Sequence, residues 1–295
     1  MSTLGTFTGQ AYQNQEETYF DDGREIALLH FIYNHPNLSE MRNNPDKVIA
    51  AIDEYGKEKK YLMNIGEFKS GIVTKLIAQV KPRVMVELGG YVGYSAIVFG
   101  AALRAANSGG RYYSLEYNPE FGAVIASLVD LAGLHDVVKV EIGASSSSLQ
   151  RLYADGTFQD GIDLLFLDHV KPLYVQDLKL CEELGIVRPG SVLAADNVVK
   201  PGNPPYLKYV RSSVQEKRDE ARTASGGDAQ SLPHRTSSTA TNGQLFKLND
   251  KGEVTEPKLF GNPNLVYESE FVEGWEPSGV PDAVEITRCT GVETS

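Results

Sequence analysis

Cysteine is nearly missing from this 295-residue chain, which carries only Cys181 and Cys289. Two thiols with no metal-ligand spacing exclude a zinc ribbon and a dense disulfide framework, and they fit a reducing compartment. Basic charge is also short, with 28 Lys and Arg against 39 Asp and Glu and a formal net charge of -11. That balance disfavours nonspecific attraction to nucleic acid or anionic lipid, so a small-molecule partner is expected. No apolar run approaches the length of a membrane span, and the opening MSTLGTFTGQ lacks the charged start and apolar block of a signal peptide. These absences give the expectation of a soluble, cytoplasmic protein with neither a membrane nor a nucleic-acid partner; they leave the oligomeric state open, a monomer being the favoured reading.

What is present suffices for one substantial core, since 41% of the residues are hydrophobic. Residues 1–22 are polar with little apolar periodicity and read as a flexible N-terminal tail, leaving 23–295 as a single domain. Amphipathic helices are predicted over Arg24 to Asn34, Pro45 to Tyr61 and Glu67 to Val80, the second with proline in its first turn. Strands are predicted at Arg83 to Leu88, Tyr112 to Glu116, Val137 to Ile142, Ile162 to Leu167 and Ser191 to Ala195. Helices beginning near Tyr94, Pro119, Ser146 and Leu173 separate them, and this alternation implies a parallel α/β sheet with helices on both faces. Leu265 to Phe271 and Ala283 to Arg288 alternate in sidedness across a turn-rich segment, which adds an antiparallel edge hairpin and brings the count to seven strands. The Ser, Thr and Gly-rich stretch 212–243 has little to bury and reads as a flexible insertion.

The most informative stretch is VMVELGGYVGYS, Val84 to Ser95, where a buried strand enters a glycine-rich turn. Its pattern, Glu87-x-Gly89-x-x-x-Gly93, lacks the G-x-G-x-x-G spacing of a dinucleotide site and carries an acid on the strand. That form resembles the S-adenosylmethionine-binding methyltransferases, and a carboxylate at the next strand end, Glu116, is able to accept both ribose hydroxyls of an adenosyl group. Read alone, Glu87 and Glu116 are also compatible with ordinary strand-end acids. Further along the same rim, one strand closes with Asp168-His169 followed by Lys171, and the next with Asp196-Asn197. Two carboxylates and an amide oxygen suit magnesium better than zinc. Taken singly, Asp168 and Asn197 also fit as helix caps. Lys171 is either a solvated surface charge or, beside a divalent cation that lowers its pKa, a general base.

The segments YLMNIGEFKSG, VELGGYVGYSA, LEYNPE, LVDLAGL, IGASS, DLLFLDHVKPLY, VRPGSVLAADNVVKPG and YLKYVR together identify the resemblance. From about Arg24 through Arg211 the chain resembles the catechol O-methyltransferase family, and weakly again in the final hairpin. The resemblance implies a Rossmann-like class I methyltransferase sheet. It further implies that Met63, Asn64 and Ile65 line the methionine end of S-adenosylmethionine, with Glu87, Gly89, Tyr91 and Ser95 around its amino-acid portion. Glu116 would take the ribose, while Tyr117, Ala144, Ser145, His169 and the neighbouring Asp168 would border the adenosyl group. Asp168, Asp196 and Asn197 would bind Mg2+, Lys171 would be the base, and Pro201 would flank the substrate ring with Asn197 and Lys171 beside it.

The departures fall around the ring, where Tyr61 and Val170 stand in place of two family tryptophans. The family's glutamate on the penultimate strand has two candidates here, Glu268 and Glu270, on one face two residues apart; Glu270 is taken as the catalytic contact and Glu268 as the alternative. The expected reaction is magnesium-dependent transfer of a methyl group to one hydroxyl of a catechol. The same chemistry on another phenolic acceptor, or a silent S-adenosylmethionine-binding protein, are the rival readings.

Overall fold

The computed structural model describes residues 5–16, 19, 21–224, 247–248, 254–255 and 258–294. Five short strands run parallel because each of the first four is followed by a helix that carries the chain back to the starting end of the sheet, and the central ones are buried on both faces. They are β1 (Val84–Leu88), β2 (Arg111–Glu116), β3 (Val138–Ile142), β4 (Leu164–Leu167) and β5 (Val192–Ala195). The long antiparallel pair β6 (Leu265–Trp275) and β7 (Pro281–Val292) completes a seven-stranded sheet in the order β3-β2-β1-β4-β5-β7-β6. The sheet therefore reverses direction of winding between β1 and β4, where an open α/β sheet leaves its ligand crevice. Two apolar clusters cover its faces, one around Phe99, Tyr112 and Phe166, the other around Leu165, Leu178 and Leu193. Among the described residues no helix is long and apolar enough to cross a membrane.

The parallel strands fall where the sequence places them, within two residues at each end, and the helices between them begin within one residue of the expected positions. Three expectations are corrected. The edge hairpin is longer than its alternation suggests: β6 runs on to Trp275 and β7 starts at Pro281, so only 276–280 form the turn. Within the expected flexible insertion, Val214–Ala224 is a helix. Its Val214, Lys217 and Ala221 are buried, and Lys217 Nζ donates to the carbonyl of Leu265 at 2.5 Å. Residues 225–243 of that stretch lie outside the described residues. In the expected tail, residues 5–16 pack on the body of the protein, with Tyr12 only 6% exposed. The polar residues between Phe7 and Tyr12 hide this docking from any composition argument.

Candidate active site

At the carboxyl end of β1 the chain must turn against the end of β4. A Cβ at Gly89, whose φ is 89°, would lie 2.7 Å from the carbonyl oxygen of Asp168. Only glycine allows that approach, which sets the loop after β1 directly beside the Asp168-His169 strand end. Glu116 turns its carboxylate onto the same loop: Oε2 accepts the N–H groups of Gly90 and Tyr91 at 3.1 and 3.0 Å. Glu87 is fully buried, and Ser114 Oγ donates to its Oε2 at 2.5 Å. Burial pushes Glu87 up to about 7. Tyr91 reaches away from the loop, donating to Glu25 Oε1 at 2.7 Å, and Ser95 lies buried on the first turn of the following helix.

His169, just past β4, and Ser145, which opens the helix Ser145–Ala154, meet on one acid. His169 Nε2 and Ser145 Oγ both meet Asp177 Oδ2, at 2.9 and 2.5 Å, and the His169 ring stacks on Tyr174. His169 Nδ1 is buried and makes no hydrogen bond. Tyr117, which follows Glu116 at the end of β2, is 77% exposed, and Ala144 is half-buried at the start of the helix. An unpaired buried ring nitrogen next to a glycine turn and a strand-end carboxylate is a donor and acceptor set that fits a nucleoside. Met63 is 43% exposed, while Asn64 and Ile65 are buried in the segment that leads into the helix Gly66–Val80.

Asp168, Lys171, Asp196 and Asn197 meet at the ends of β4 and β5. Lys171 Nζ donates to Asn197 Oδ1 at 2.8 Å, Tyr174 Oη at 2.6 Å and Asp168 Oδ1 at 3.3 Å. Tyr174 Oη in turn donates to the backbone carbonyl of Asp196 at 3.3 Å. Burial pushes Asp168 up to about 8, against the pull of Lys171 and with the neighbouring Asp196 adding to the rise. Asn197 adopts a left-handed conformation with φ 57°, which swings its amide oxygen to the Lys171 side.

A second cation lies deeper. Lys69, fully buried on the helix Gly66–Val80, donates to Asp196 Oδ2 at 2.8 Å, Glu276 Oε1 at 2.6 Å and Asp282 Oδ2 at 2.7 Å. Burial penalises this ammonium, but the three carboxylates hold its pKa well above the ordinary value. Asn197 Nδ2 bonds the same acids, Glu276 Oε1 at 2.6 Å and Asp282 Oδ2 at 3.1 Å. Asp282 also accepts the N–H groups of Val199 and Lys200, which fixes the loop carrying Pro201. Asp196, Glu276 and Asp282 are close enough to hold a cation together; Lys69 already serves them.

Four carboxylates, Asp168, Asp196, Glu276 and Asp282, thus face two ammonium groups, Lys69 and Lys171. Burial raises Asp168, Asp196 and Glu276, and a divalent cation would favour their ionised forms, offsetting the two negative charges by which four carboxylates exceed two ammonium groups. Both carboxylate oxygens of Asp196 lie 2.8 Å from Lys69 Nζ, and the oxygens of Asp168 and Asn197 converge on Lys171. All are hard oxygen donors, so the residues fit magnesium.

The structure does not bring Glu268 and Glu270 to this place. Both stand exposed on β6, opposite Arg288 and Ile286 of β7. Because β6 continues to Trp275, the acid at its site end is Glu276, which meets Lys69 and Asn197. Tyr61 is 4% exposed and Val170 is 65% exposed. Lys69, Tyr174, Glu276 and Asp282 carry much of the site and were not singled out by the sequence. Lys69 left one signal: it lies four residues from both Ile65 and Val73, on a core-facing stripe where a lysine needs a partner.

A family model described as a methyltransferase domain matches residues 86–198. Catechol O-methyltransferase of Bos taurus is 39% identical over 190 residues, spanning 64% of this chain and 67% of that protein. The Mus musculus catechol O-methyltransferase is 40% identical over 190 residues, 64% of this chain and 69% of its own length. Among solved structures, the O-methyltransferase TomG from Streptomyces achromogenes in complex with SAM superposes with a TM-score of 0.52 at 20% identity, covering 92% of this chain and all of that one. That likeness is one of fold.

Proposed function

Because the chain belongs to the catechol O-methyltransferase family, we propose that it transfers the methyl group of S-adenosylmethionine to one hydroxyl of a catechol, with Lys171 as the base and a magnesium requirement. It is an O-methyltransferase built on an S-adenosylmethionine-binding fold; the acceptor, the metal and the residue roles are the proposal. The observation that carries it is Lys171 Nζ in contact with both Asp168 Oδ1 and Asn197 Oδ1 at the rim beside the glycine loop.

In this reading Asp168, Asp196 and Asn197 hold magnesium, which supplies Lewis acidity that makes a catechol hydroxyl easier to deprotonate. Lys171 Nζ takes that proton when neutral, and the oxygen left negative attacks the methyl carbon while the sulfur keeps the carbon–sulfur electron pair. Anionic oxygen and cationic sulfonium neutralise one another, so water exclusion by Tyr61, Met63, Val170 and Pro201 and near-attack placement supply much of the rate. Glu276 accepts from the second hydroxyl and is held for that purpose by Lys69 and Asn197. Glu87 faces the amino-acid end of the donor, Gly89, Tyr91 and Ser95 shape its loop, and Glu116 exchanges its backbone partners for the ribose.

The test is methyl transfer to 3,4-dihydroxybenzoate and dopamine, with magnesium and again with chelator, resolving the two methylated isomers. Product that disappears with chelator is expected; transfer unaffected by chelator would end the metal assignment. Within the same assay, Glu276→Gln should lower kcat/KM for the acceptor by about ten- to a hundredfold, the value of a hydrogen bond to a charged group. Glu270→Gln, on the exposed strand, should leave it unchanged; the reverse pattern would return the role to Glu270.

A further inference from the structure

The turn that carries Glu276 is short. Its backbone closes through Gly279 N–H to the Glu276 carbonyl and Glu276 N–H to the Val280 carbonyl, both at 2.8 Å. On its inner side the turn is tied to the end of β5 through Glu276, which accepts from Lys69 and Asn197; its outer side depends on what packs over it. That cover comes from the other end of the chain. Phe7 sets its ring 5.1 Å from Phe68 and 5.8 Å from Trp275, over Gly279. Tyr12 N–H donates to the carbonyl of Pro277 at 2.9 Å, and Ser278 Oγ donates to Gln15 Oε1 at 3.0 Å.

The same segment is tied down on its far side. Tyr12 Oη donates to Asp53 Oδ1 at 2.5 Å and receives Asn64 Nδ2 at 3.5 Å, while its ring fills the space beside Gly56. Gln13 N–H donates to the Gly56 carbonyl at 2.9 Å. Glu16 pairs with Arg24 at 2.7 Å, and that guanidinium also donates to the carbonyl of Tyr61 at 2.8 Å. One extended segment therefore bridges the helix Pro45–Glu58, the Tyr61–Ile65 wall and the 276–280 turn.

We propose that residues 5–16 form a strap that positions the acceptor wall, with Phe7 as the positioning residue that seats the 276–280 turn and so places Glu276. Phe7 touches neither donor nor acceptor; it acts through Trp275 and Gly279. The proposal rests on the reading of Glu276 as an acceptor contact. A docked aromatic also costs little to hold once paired with two others, because its burial and ring contacts offset the ordering of the segment.

Trp275 is the single tryptophan of the chain, so its fluorescence reads the docking without any turnover. In the full-length protein, Phe7→Ala should shift Trp275 emission to longer wavelength and raise its quenching by acrylamide. The KM for the catechol should rise about three- to tenfold, with kcat and the Kd for S-adenosylmethionine within about twofold, the signature of lost uniform binding. Phe7→Leu keeps the apolar contact and should restore KM to near the starting value. An unchanged Trp275 signal in Phe7→Ala would overturn the docking, and a shifted signal with unchanged KM would overturn the positioning role. KM, kcat and cofactor Kd worsening together would also overturn it, since general loosening predicts that pattern. If the unsubstituted protein methylates no catechol while Phe7→Ala still shifts Trp275, the functional reading fails and the docking stands.

Discussion

Lys171→Ala should lower kcat by about a hundred- to ten-thousandfold, the range that a positioned general base contributes, while S-adenosylmethionine still binds with near-native affinity. The geometry leaves few other candidates for the proton. Tyr174 Oη is 2.6 Å from Lys171 Nζ, but burial raises its phenol well above the ordinary value, so it stays protonated and serves to orient the amine. His169 is turned to Asp177. Lys171→Arg should fail almost as badly as alanine, because a guanidinium holds its proton. Calorimetry with magnesium separates base from ligand: the Lys171 ammonium contacts the Asp168 and Asn197 oxygens, so its removal should leave magnesium affinity intact or tighter. Asp168→Asn should weaken it. Full turnover by Lys171→Ala would remove the base assignment, and loss of magnesium binding in that variant would recast Lys171 as part of the metal's support.

How much of this was legible depends on whether a residue's partners are near in sequence or set by strand order. Glu87, Gly89, Glu116, Asp168 and Asp196 sit at the ends of short, doubly buried strands. Finding the strands is enough to put those residues on one rim, because parallel sheets place all carboxyl ends together. Lys69 bonds Glu276 and Asp282 across 207 and 213 residues, and no local periodicity announces such a pair. Glu276 is hard to place from sequence because the alternation of β6 fades after Phe271, although its pairing with β7 continues to Trp275↔Pro281. The helix Val214–Ala224 escaped for a related reason: Val214, Lys217 and Ala221 share one face, but two small apolar residues and a lysine stem make too thin a stripe to stand out from a polar stretch.

Lys69→Met is expected to cost about 3–5 kcal/mol of unfolding free energy, measured by urea denaturation, since removing one partner of a buried ion pair leaves the others uncompensated. Three buried acids lose their shared cation. Burial already raises Asp196 and Glu276, against the opposing pull of Lys69, whereas that pull holds Asp282 below its ordinary value despite burial. Without the ammonium Asp196 and Glu276 move further upward and Asp282 loses the pull that keeps it low, and the folded state then binds more protons than the unfolded one over the range from the ordinary carboxylate values to the raised ones. Stability must fall as pH rises through that range, so the penalty of Lys69→Met should be smallest near pH 5 and largest at neutral pH and above. Magnesium or calcium should recover part of the loss, because Asp196, Glu276 and Asp282 are spaced to take a cation once Lys69 vacates them and a ligand that binds only the folded state stabilises by mass action. Lys69→Met combined with Glu276→Gln should be less destabilised than Lys69→Met alone, as one unpaired charge has been withdrawn. A single variant as stable as the parent at pH 7.5, with no response to divalent cation, would mean that the four groups do not share their charge in the way their 2.6 to 2.8 Å separations require.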